Sequence, residues 1–226
     1  MKYFHHWVIE FFLVIFHPIL ALLNYVLPFD AVKKSKKSKK SPIILVERWF
    51  IRNPLHYCMK IYLERRGFAV YSVSFPLMTG NFEKSARDLK TFIDDKKLDD
   101  VILVGISSGG LTCYQYLTDF DGWKKTKLCI GVGAPFQGAK QAHLLYGFEI
   151  KKELDPQGKY IQSILKKPMK HGDRIYSIVA ELDQAVGHEN SYLPGSQKVV
   201  IDVAGHNLLH TIWLPTFRKV TELCNR

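Results

Sequence analysis

A serine in a glycine-rich turn constrains the fold of this sequence more than any other feature. The turn reads Gly105-Ile106-Ser107-Ser108-Gly109, which is the pattern G-x-S-x-G. It follows residues 100–104, where no side chain after the first is polar, as in a strand buried on both faces of a parallel sheet. A turn from such a strand into a helix holds the serine at the carboxyl edge of the sheet, where ligands bind. The pattern predicts that Ser107 is a nucleophile; Ser108 is the nearest alternative, but no glycine stands two residues before it.

From Pro42 onward, short β-branched runs alternate with amphipathic helical patterns. That alternation predicts the α/β fold class, with a mostly parallel sheet flanked by helices. The predicted strands are 43–47, 68–74, 100–104, 127–133, 174–180 and 198–203. The predicted helices start at Asn53-Pro54, span 81–96, follow Ser107 and begin again near His206.

Two residues in later loops have the positions that a serine nucleophile requires of its partners. A serine hydroxyl needs a general base, and the base needs an acid to orient it. Where this turn carries a nucleophile, the chain order is serine, acid, histidine. Asp183 comes after the fifth predicted strand, and His206 comes after the sixth strand and a glycine. Because these loops lie at the same sheet edge as the serine, the sequence predicts a catalytic set of Ser107, Asp183 and His206.

Other acids and histidines fit these roles less well. Glu181 and Asp202 are the alternative acids, since each stands near the end of a predicted strand. His210 lies one helical turn after His206, where packing or capping is the expected role. The other histidines considered, in loops or in the long segment before the fifth strand, are His143, His171 and His188.

From about Pro42 to Leu209 the chain resembles the α/β-hydrolase superfamily, and more narrowly its compact bacterial-type serine lipases and esterases. Besides the turn, the segments that resemble these lipases are 134–138 (Ala-Pro-Phe-Gln-Gly), 153–156 (Glu-Leu-Asp-Pro), 193–195 (Leu-Pro-Gly) and 205–209 (Gly-His-Asn-Leu-Leu). The resemblance implies an acyl-enzyme mechanism. In that mechanism Ser107 attacks an ester carbonyl, His206 takes and returns the proton, and Asp183 holds the imidazole tautomer.

The resemblance also implies an oxyanion hole, in which the backbone N–H groups of Ser108 and Trp49 hold the developing negative charge. At the second donor the sequence departs from the family pattern, because the family usually has His-Gly where this chain reads Glu47-Arg48. Loss of that glycine would shift the Trp49 amide, and one missing donor costs roughly 10²- to 10³-fold in rate. Glu47 and Arg48 are expected to pair with each other or to line the pocket. An inactive, membrane-docked binding protein on the same scaffold is therefore an alternative.

The N-terminal part has a different character from the rest. Residues 7–29 are almost wholly apolar, and six lysines separated only by serines follow at 33–40. A helix of that length can span a bilayer. Residues 1–41 are therefore predicted to form a hydrophobic membrane anchor with a basic linker, and 42–226 a catalytic domain. Glu10, His17 and Asn24 recur every seven residues and predict a polar stripe that faces protein or water.

Lysines that follow an apolar helix tend to stay in the cytoplasm, where they attract anionic lipid. We therefore expect a membrane protein with a single N-terminal anchor, a catalytic domain that faces the cytoplasm, and an anionic membrane surface as a partner. An interfacial helix and a signal peptide are the alternatives, but the sequence has no convincing small-residue cleavage site.

Residues 136–170 are too long for a plain connection between two strands and are predicted to form a lid-like helical insertion. They hold seven lysines and three acids, and the apolar residues 144–146 and 148. A lid of this kind would turn its basic side to lipid headgroups and cover the pocket with its apolar side. The alternative is that the apolar residues are core and the lysines form a solvated face.

Composition narrows the function further. The net charge of +11 would suit nucleic acid or an anionic membrane, but the chain has no nucleic-acid-binding motif, so no nucleic-acid partner is expected. The four cysteines stand far apart, and neither a metal nor an organic cofactor is expected. The sequence predicts a membrane-associated serine hydrolase of carboxylic esters, with a lipid or small acyl ester as substrate. A thioesterase or acyltransferase with the same three residues is the alternative among enzymes.

Overall fold

Parallel strands form the sheet on which the rest of the molecule is built. The structure, a computed structural model, describes residues 2–26, 38–49, 56–76, 81–139, 141 and 148–226. The strands in these ranges are β1 (Ile43–Trp49), β2 (Val70–Pro76), β3 (Val101–Ile106), β4 (Thr126–Val132), β5 (Ile175–Leu182) and β6 (Gln197–Ala204). Their order across the sheet is β2-β1-β3-β4-β5-β6, and every neighbouring pair is parallel. The order reverses between β1 and β3, and open sheets of this type bind ligands at such a switch point.

Helices connect the strands and cover both faces of the sheet. In the described part of the chain they are α1 (Phe4–Val26), α2 (Tyr57–Glu64), α3 (Phe82–Asp95), α4 (Gly109–Asp119), α5 (Phe148–Leu154), α6 (Lys159–Lys166), α7 (His206–Thr211) and α8 (Leu214–Cys224). The predicted α/β class with a mostly parallel, helix-flanked sheet is confirmed. The predicted helix start at Asn53-Pro54 lies outside the described residues.

The two faces of the sheet bury different helices, as alternate side chains of β1 show. Ile44 and Val46 belong to the apolar cluster beneath α3 and α4, whereas Ile43 and Leu45 belong to the cluster beneath α2 and α8. Successive side chains of a strand point to opposite faces, so a strand covered on both sides must be apolar throughout. The central strand β3 meets this condition, because all of its residues are buried. The predicted nucleophile therefore follows the most enclosed part of the sheet.

Helix α1 lies against the domain that follows it. It packs against β6 and α7, and His6, Glu10 and Leu13 are buried on its inner side. Of the predicted polar stripe, Glu10 therefore faces protein. The side chains of His17 and Asn24 lie outside the described part of the structure.

The membrane anchor predicted at the N-terminus is only partly described. Residues 27–29, at the end of the apolar run, and the lysines within 33–37 lie outside the described residues. Among the residues whose structure is described, no helix combines the length and the apolar content needed to cross a membrane. The structure therefore gives no support for a bilayer-spanning helix.

The predicted insertion at 136–170 contains the two short helices α5 and α6. Their apolar residues Ile150, Leu154, Ile161 and Ile164 are buried in the cluster beneath α3 and α4. These four side chains are therefore core. Residues 144–146 and the side chain of Phe148 lie outside the described residues, so the lid itself stays a prediction.

Candidate active site

The turn at Ser107 is shaped by the close approach of neighbouring backbone segments. Ser107 stands between β3 and α4 with a φ of 49°, a left-handed conformation that is strained for a residue with a side chain. A Cβ on Gly105 would lie 2.4 Å from the Cα of Gly110, and a Cβ on Gly109 would lie 2.1 Å from the carbonyl oxygen of Val46. Since both contacts are with backbone atoms, only glycine fits at either position. The G-x-S-x-G spacing follows from this packing of β1 against the start of α4.

The structure brings the three predicted residues Ser107, Asp183 and His206 into one hydrogen-bonded chain. Asp183 directly follows β5, and His206 is the second residue after β6, so both lie at the carboxyl edge of the sheet. The Nε2 atom of His206 lies 3.0 Å from Oγ of Ser107, and its Nδ1 atom lies 2.8 Å from Oδ2 of Asp183. Both distances allow proton transfer or a hydrogen bond. With Nδ1–H donating to the carboxylate, Nε2 is left as the acceptor for the serine hydroxyl.

Asp183 is held rigidly as an ionised acceptor. Its side chain is fully buried, and Oδ1 accepts hydrogen bonds from the backbone N–H groups of Ala185 at 2.9 Å and Val186 at 2.8 Å. Burial opposes ionisation of the carboxyl group. The charge and hydrogen bond of His206, together with the two backbone donors, nevertheless lower the pKa of Asp183 below its ordinary 3.8. The carboxylate is therefore charged at neutral pH and fixed toward the imidazole.

His206 is buried and sits between two carboxylates. Burial by itself disfavours its protonated form and lowers its pKa. The Asp183 carboxylate, and to a smaller extent that of Glu10, outweighs this effect and raises the pKa of His206 above its ordinary 6.5. The site therefore stabilises an imidazolium, which is the form that a general base takes when it accepts a proton.

The alternative acids do not reach this histidine. Glu181 is exposed at the end of β5. Asp202 is also exposed, and it accepts a hydrogen bond from the hydroxyl of Tyr3 at 2.6 Å and pairs with Lys2. Geometry thus selects Asp183 among the three acids considered.

The alternative histidines have other partners. His188 donates from Nδ1 to the carbonyl oxygen of Ala180 at 2.8 Å, and His171 packs its ring against Trp123. His210 belongs to a buried cluster of ionisable side chains that includes His56. His143 lies outside the described residues. His206 is the histidine that contacts Ser107 within the described part of the chain.

The two residues predicted to line an oxyanion hole lie on either side of the serine. Ser108 directly precedes α4, and Trp49 is the last residue of β1, the strand that pairs with β3. Both positions are at the carboxyl edge of the sheet. The side chains of Arg48 and Trp49, and all of Phe50, lie outside the described residues. Donation from these two N–H groups to an oxyanion stays a prediction.

A buried chain of ionisable side chains beside the site was not predicted. The carboxylate of Glu47 contacts Nδ1 of His56, and Nε2 of His56 lies 3.2 Å from Nδ1 of His210. The ring of His210 in turn packs edge-on against His206, with the ring centroids 5.1 Å apart. The spacing of four residues between the last two gives the one sequence signal for this cluster, because residues so spaced share a helix face. The Glu47–His56 contact joins different elements and left no such signal.

A second set of contacts that the sequence did not predict reaches the site from α1. The carboxylate of Glu10 accepts hydrogen bonds from the backbone N–H groups of Asn207 and Leu208, immediately after His206. Gln184, next to Asp183, bonds to both Glu10 and the N–H of His206. The sequence signal was the stripe of Glu10, His17 and Asn24, which predicts that Glu10 faces protein or water but not which residues it contacts.

Comparison with known proteins was informative at the level of three-dimensional structure. The sequence matches no protein-family model and no curated protein. Among solved structures, the chain is similar to the lipase BlEst2 of Bacillus licheniformis in its mature form. The TM-score is 0.63 at 14% sequence identity, over 84% of this chain and 97% of that chain.

Two further structures show how wide the likeness is. The carboxylesterase CesB (YbfK) of Bacillus subtilis matches with a TM-score of 0.58 at 12% identity, over 85% of this chain and 87% of that chain. A bromoperoxidase of Bacillus anthracis matches with a TM-score of 0.58 at 15% identity, over 84% of this chain and 93% of that chain. At such identities the likeness concerns the fold, which hosts more than one reaction.

The chain has the α/β-hydrolase fold, and the resemblance indicated by its sequence motifs is confirmed at that level. The solved structures that it resembles include a lipase and a carboxylesterase, and in this chain Ser107, His206 and Asp183 lie in hydrogen-bond contact.

Proposed function

We propose that this protein is a serine hydrolase that cleaves carboxylic esters through an acyl-enzyme intermediate. The observation that carries the proposal is the chain of contacts from Ser107 Oγ through the His206 ring to the Asp183 carboxylate, at 3.0 and 2.8 Å. The similarity of its fold to lipases and a carboxylesterase supports an ester as the substrate.

Each residue has one role in the proposed reaction. His206 Nε2 takes the proton of Ser107 as Oγ attacks the ester carbonyl, and the same nitrogen then protonates the leaving alcohol. A water molecule is activated by His206 in the second half, and it releases the acid and restores the serine. Asp183 stays ionised throughout and stabilises the imidazolium.

The negative charge of the tetrahedral intermediate is proposed to rest on the N–H groups of Ser108 and Trp49. The position of Ser108 at the start of α4 supports the first donor, since a helix N-terminus favours negative charge. The place of Trp49 at the end of the strand beside the turn supports the second.

We further propose that the outer side of α1 docks on a membrane surface and that the natural ester is lipidic. Single exposed apolar side chains are common, but a row of large ones along one helix marks an interaction surface. Among the side chains of α1 that the structure describes, nine large apolar ones are exposed: Phe4, Trp7, Val8, Phe11, Phe12, Val14, Ile15, Phe16 and Ile19. The lysines that follow in the sequence favour anionic lipid and, with it, a cytoplasmic leaflet.

Ester turnover tests the chemical part of the proposal. Wild type and Ser107→Ala are compared on p-nitrophenyl esters of short and long acyl chains and on the matching thioesters. We expect ester turnover that rises with chain length and that Ser107→Ala lowers by roughly 10⁶-fold, to the background. Preference for the thioester would identify a thioesterase, and a folded wild type without turnover on either would favour the inactive binding protein.

Vesicle flotation tests the membrane part. The double variant Phe11→Asp/Phe12→Asp on α1 is compared with Ile61→Asp, which changes an apolar side chain exposed on α2. We expect the double variant to bind phosphatidylserine vesicles at least about 10-fold more weakly, because burial of each side chain contributes about 1.5–3 kcal/mol. Equal binding of both variants and wild type would refute docking through α1.

A further inference from the structure

We propose that Glu10 is a positioning residue for His206, so that helix α1 is a working part of the active site. The inference rests on the proposed hydrolase function, because it assigns Glu10 a role in the reaction of Ser107. It goes beyond that function in making the N-terminal helix necessary for the chemistry as well as for docking.

The Glu10 carboxylate is buried against the backbone that carries His206. Its Oε1 atom accepts the N–H of Asn207 at 3.0 Å, and its Oε2 atom accepts the N–H of Leu208 at 2.7 Å. The side chain of Asn207 adds a third bond to Oε1 at 2.9 Å. Glu10 is only 2% exposed. The first N–H groups of any helix lack intrahelical partners, so α1 supplies acceptors that α7 cannot supply for itself.

Gln184 extends this contact to the histidine itself. Its Nε2 atom donates to Oε1 of Glu10, and its Oε1 atom accepts the backbone N–H of His206 at 3.1 Å. Because Gln184 follows Asp183 directly, one side chain ties together the loop of the acid, the loop of the base and α1. The backbone of His206 is thus held on both sides by groups that depend on Glu10.

The residue before the histidine is shaped to Glu10. Gly205 has a φ of 128°, and a Cβ at this position would lie 2.7 Å from Oε2 of Glu10. A side chain here would push the carboxylate away from α7. Gly205 therefore leaves room for the carboxylate of Glu10 from α1, and the next residue, His206, belongs to the catalytic set.

Two contacts on the N-terminal side of Glu10 help to set the position of α1 along this edge. Tyr3 donates to Asp202 at 2.6 Å, and Nδ1 of His6 accepts the N–H of Ala204 at 3.1 Å. Tyr3, His6 and Glu10 are spaced by three and four residues, so they share one helix face. That face runs along the end of β6 and the start of α7, and this fixes which residue of α1 reaches the histidine loop.

The charge of Glu10 gives the role a signature that packing alone would not. Among the residues whose side chains are described, the ionisable groups that face His206 are Asp183, Glu10 and His210. Glu10 contributes to the raised pKa of His206, so removal of its charge lowers that pKa. Since the base must be neutral to act, the acid limb of kcat/KM then moves to lower pH.

The test is steady-state kinetics of the full-length Glu10→Gln variant on a p-nitrophenyl ester. We expect kcat to fall about 10- to 100-fold through misplacement of His206, with KM little changed, and the acid limb to shift to lower pH. Glu83→Gln, which removes an exposed carboxylate that pairs with Arg87 on α3, is the control and should match wild type in both.

Each outcome decides the matter. Active wild type with unchanged kcat and pH profile in Glu10→Gln would overturn the inference and leave the proposed hydrolase standing. A folded wild type without turnover would overturn both the inference about Glu10 and the proposed hydrolase function. Should Glu10→Gln fail to fold, Gln184→Met removes the link between Glu10 and the His206 N–H. We expect kcat of that folded variant to fall about 10-fold, and a wild-type kcat would overturn the inference.

Discussion

The nucleophile turn and the histidine loop lie at the same edge of the sheet but are held in different ways. Ser107 is fixed by the backbone around it in the core. The glycines at 105 and 109 allow β3, β1 and the start of α4 to come into contact there. His206 is fixed by Glu10 and Gln184, of which the first stands nearly the whole chain length away. The serine therefore depends on local backbone fit, and the base depends on the docking of a separate helix.

This difference indicates which part of the site is expected to move more readily. The turn is part of the sheet core and can move only if the core opens. The histidine loop is hydrogen-bonded to α1, so we expect a change in α1 to displace this loop while the rest of the domain stays folded. Substitutions in the turn should thus act on folding and chemistry together, and substitutions in the α1 contact should act on chemistry more than on folding.

The largest effect is expected for Gly109→Ala. Its Cβ would lie 2.1 Å from the carbonyl oxygen of Val46, a backbone atom that cannot move aside. We expect a loss of about 3 kcal/mol or more in the free energy of unfolding and no measurable turnover. Urea unfolding and ester hydrolysis measure both quantities.

The control for that variant is Gly67→Ala. Unlike Gly109, Gly67 has a positive φ, 85°, and beyond its two chain neighbours no atom lies within 4 Å of the added Cβ. We expect a cost of about 1–2 kcal/mol from backbone strain and unchanged kcat. If Gly109→Ala behaved like this control, the turn would not be held by backbone contact and the comparison would break.

Asp183→Asn should come next in size. The amide would present a donor to Nδ1 of His206 and favour the wrong tautomer, so kcat should fall about 10⁴-fold with little loss of folded protein. Glu181→Gln is the matched control, because that acid is exposed at the end of the same strand. A large loss with Glu181→Gln and none with Asp183→Asn would transfer the orienting role to the other acid.

A smaller effect is expected from pH in the wild type. The pKa of His206 is raised above 6.5 by the Asp183 and Glu10 carboxylates against the effect of burial. Because the neutral imidazole is the base, kcat/KM should fall as pH drops through that raised pKa, tenfold per pH unit below it. A profile of kcat/KM with its midpoint below 6.5 would show that the carboxylates do not act on the base as described.

The smallest effect is expected for Asn81→Ala, which removes a hydrogen-bond acceptor from the N-terminus of a different helix, α3. Asn81 caps α3 by accepting the N–H of Lys84 at 2.7 Å, much as Glu10 caps α7. Asn81→Ala should cost about 1 kcal/mol in thermal unfolding and leave kcat and its pH profile unchanged. Loss of activity here comparable to that of Glu10→Gln would mean that the site responds to general destabilisation.

The sequence predicted the parts of this molecule whose structure depends on residues close together in the chain. The strand, the turn and the helix around Ser107 are contiguous, and each has its own pattern: an apolar run, two glycines and an amphipathic period. Asp183 and His206 were predicted because parallel strands end at one edge, so their loops meet there whatever the intervening sequence. The parallel sheet followed from the alternation of strands and helices, and the two-sided burial of β3 followed from its apolar run, but the order of the strands was not predicted.

The remaining parts depend on contacts between distant segments. Nothing near Glu10 indicates that its carboxylate would meet the N–H groups of Asn207 and Leu208. The contact between Glu47 and His56 was likewise not predicted, and the expected pairing of Glu47 with Arg48 stays a prediction because the Arg48 side chain lies outside the described residues. Such contacts depend on how one layer of the fold packs on another. No periodicity or residue spacing in a single sequence indicates that packing.

The most direct test of the central claim is to map the adduct of a fluorophosphonate on the folded, full-length protein by peptide mass spectrometry. An activated serine reacts with such a probe, and an ordinary surface serine does not. We predict one adduct, on Ser107, that is absent from Ser107→Ala and strongly slowed in Asp183→Asn. An unmodified folded protein, or an adduct on Ser108 with Ser107 free, would contradict the catalytic set proposed for this chain.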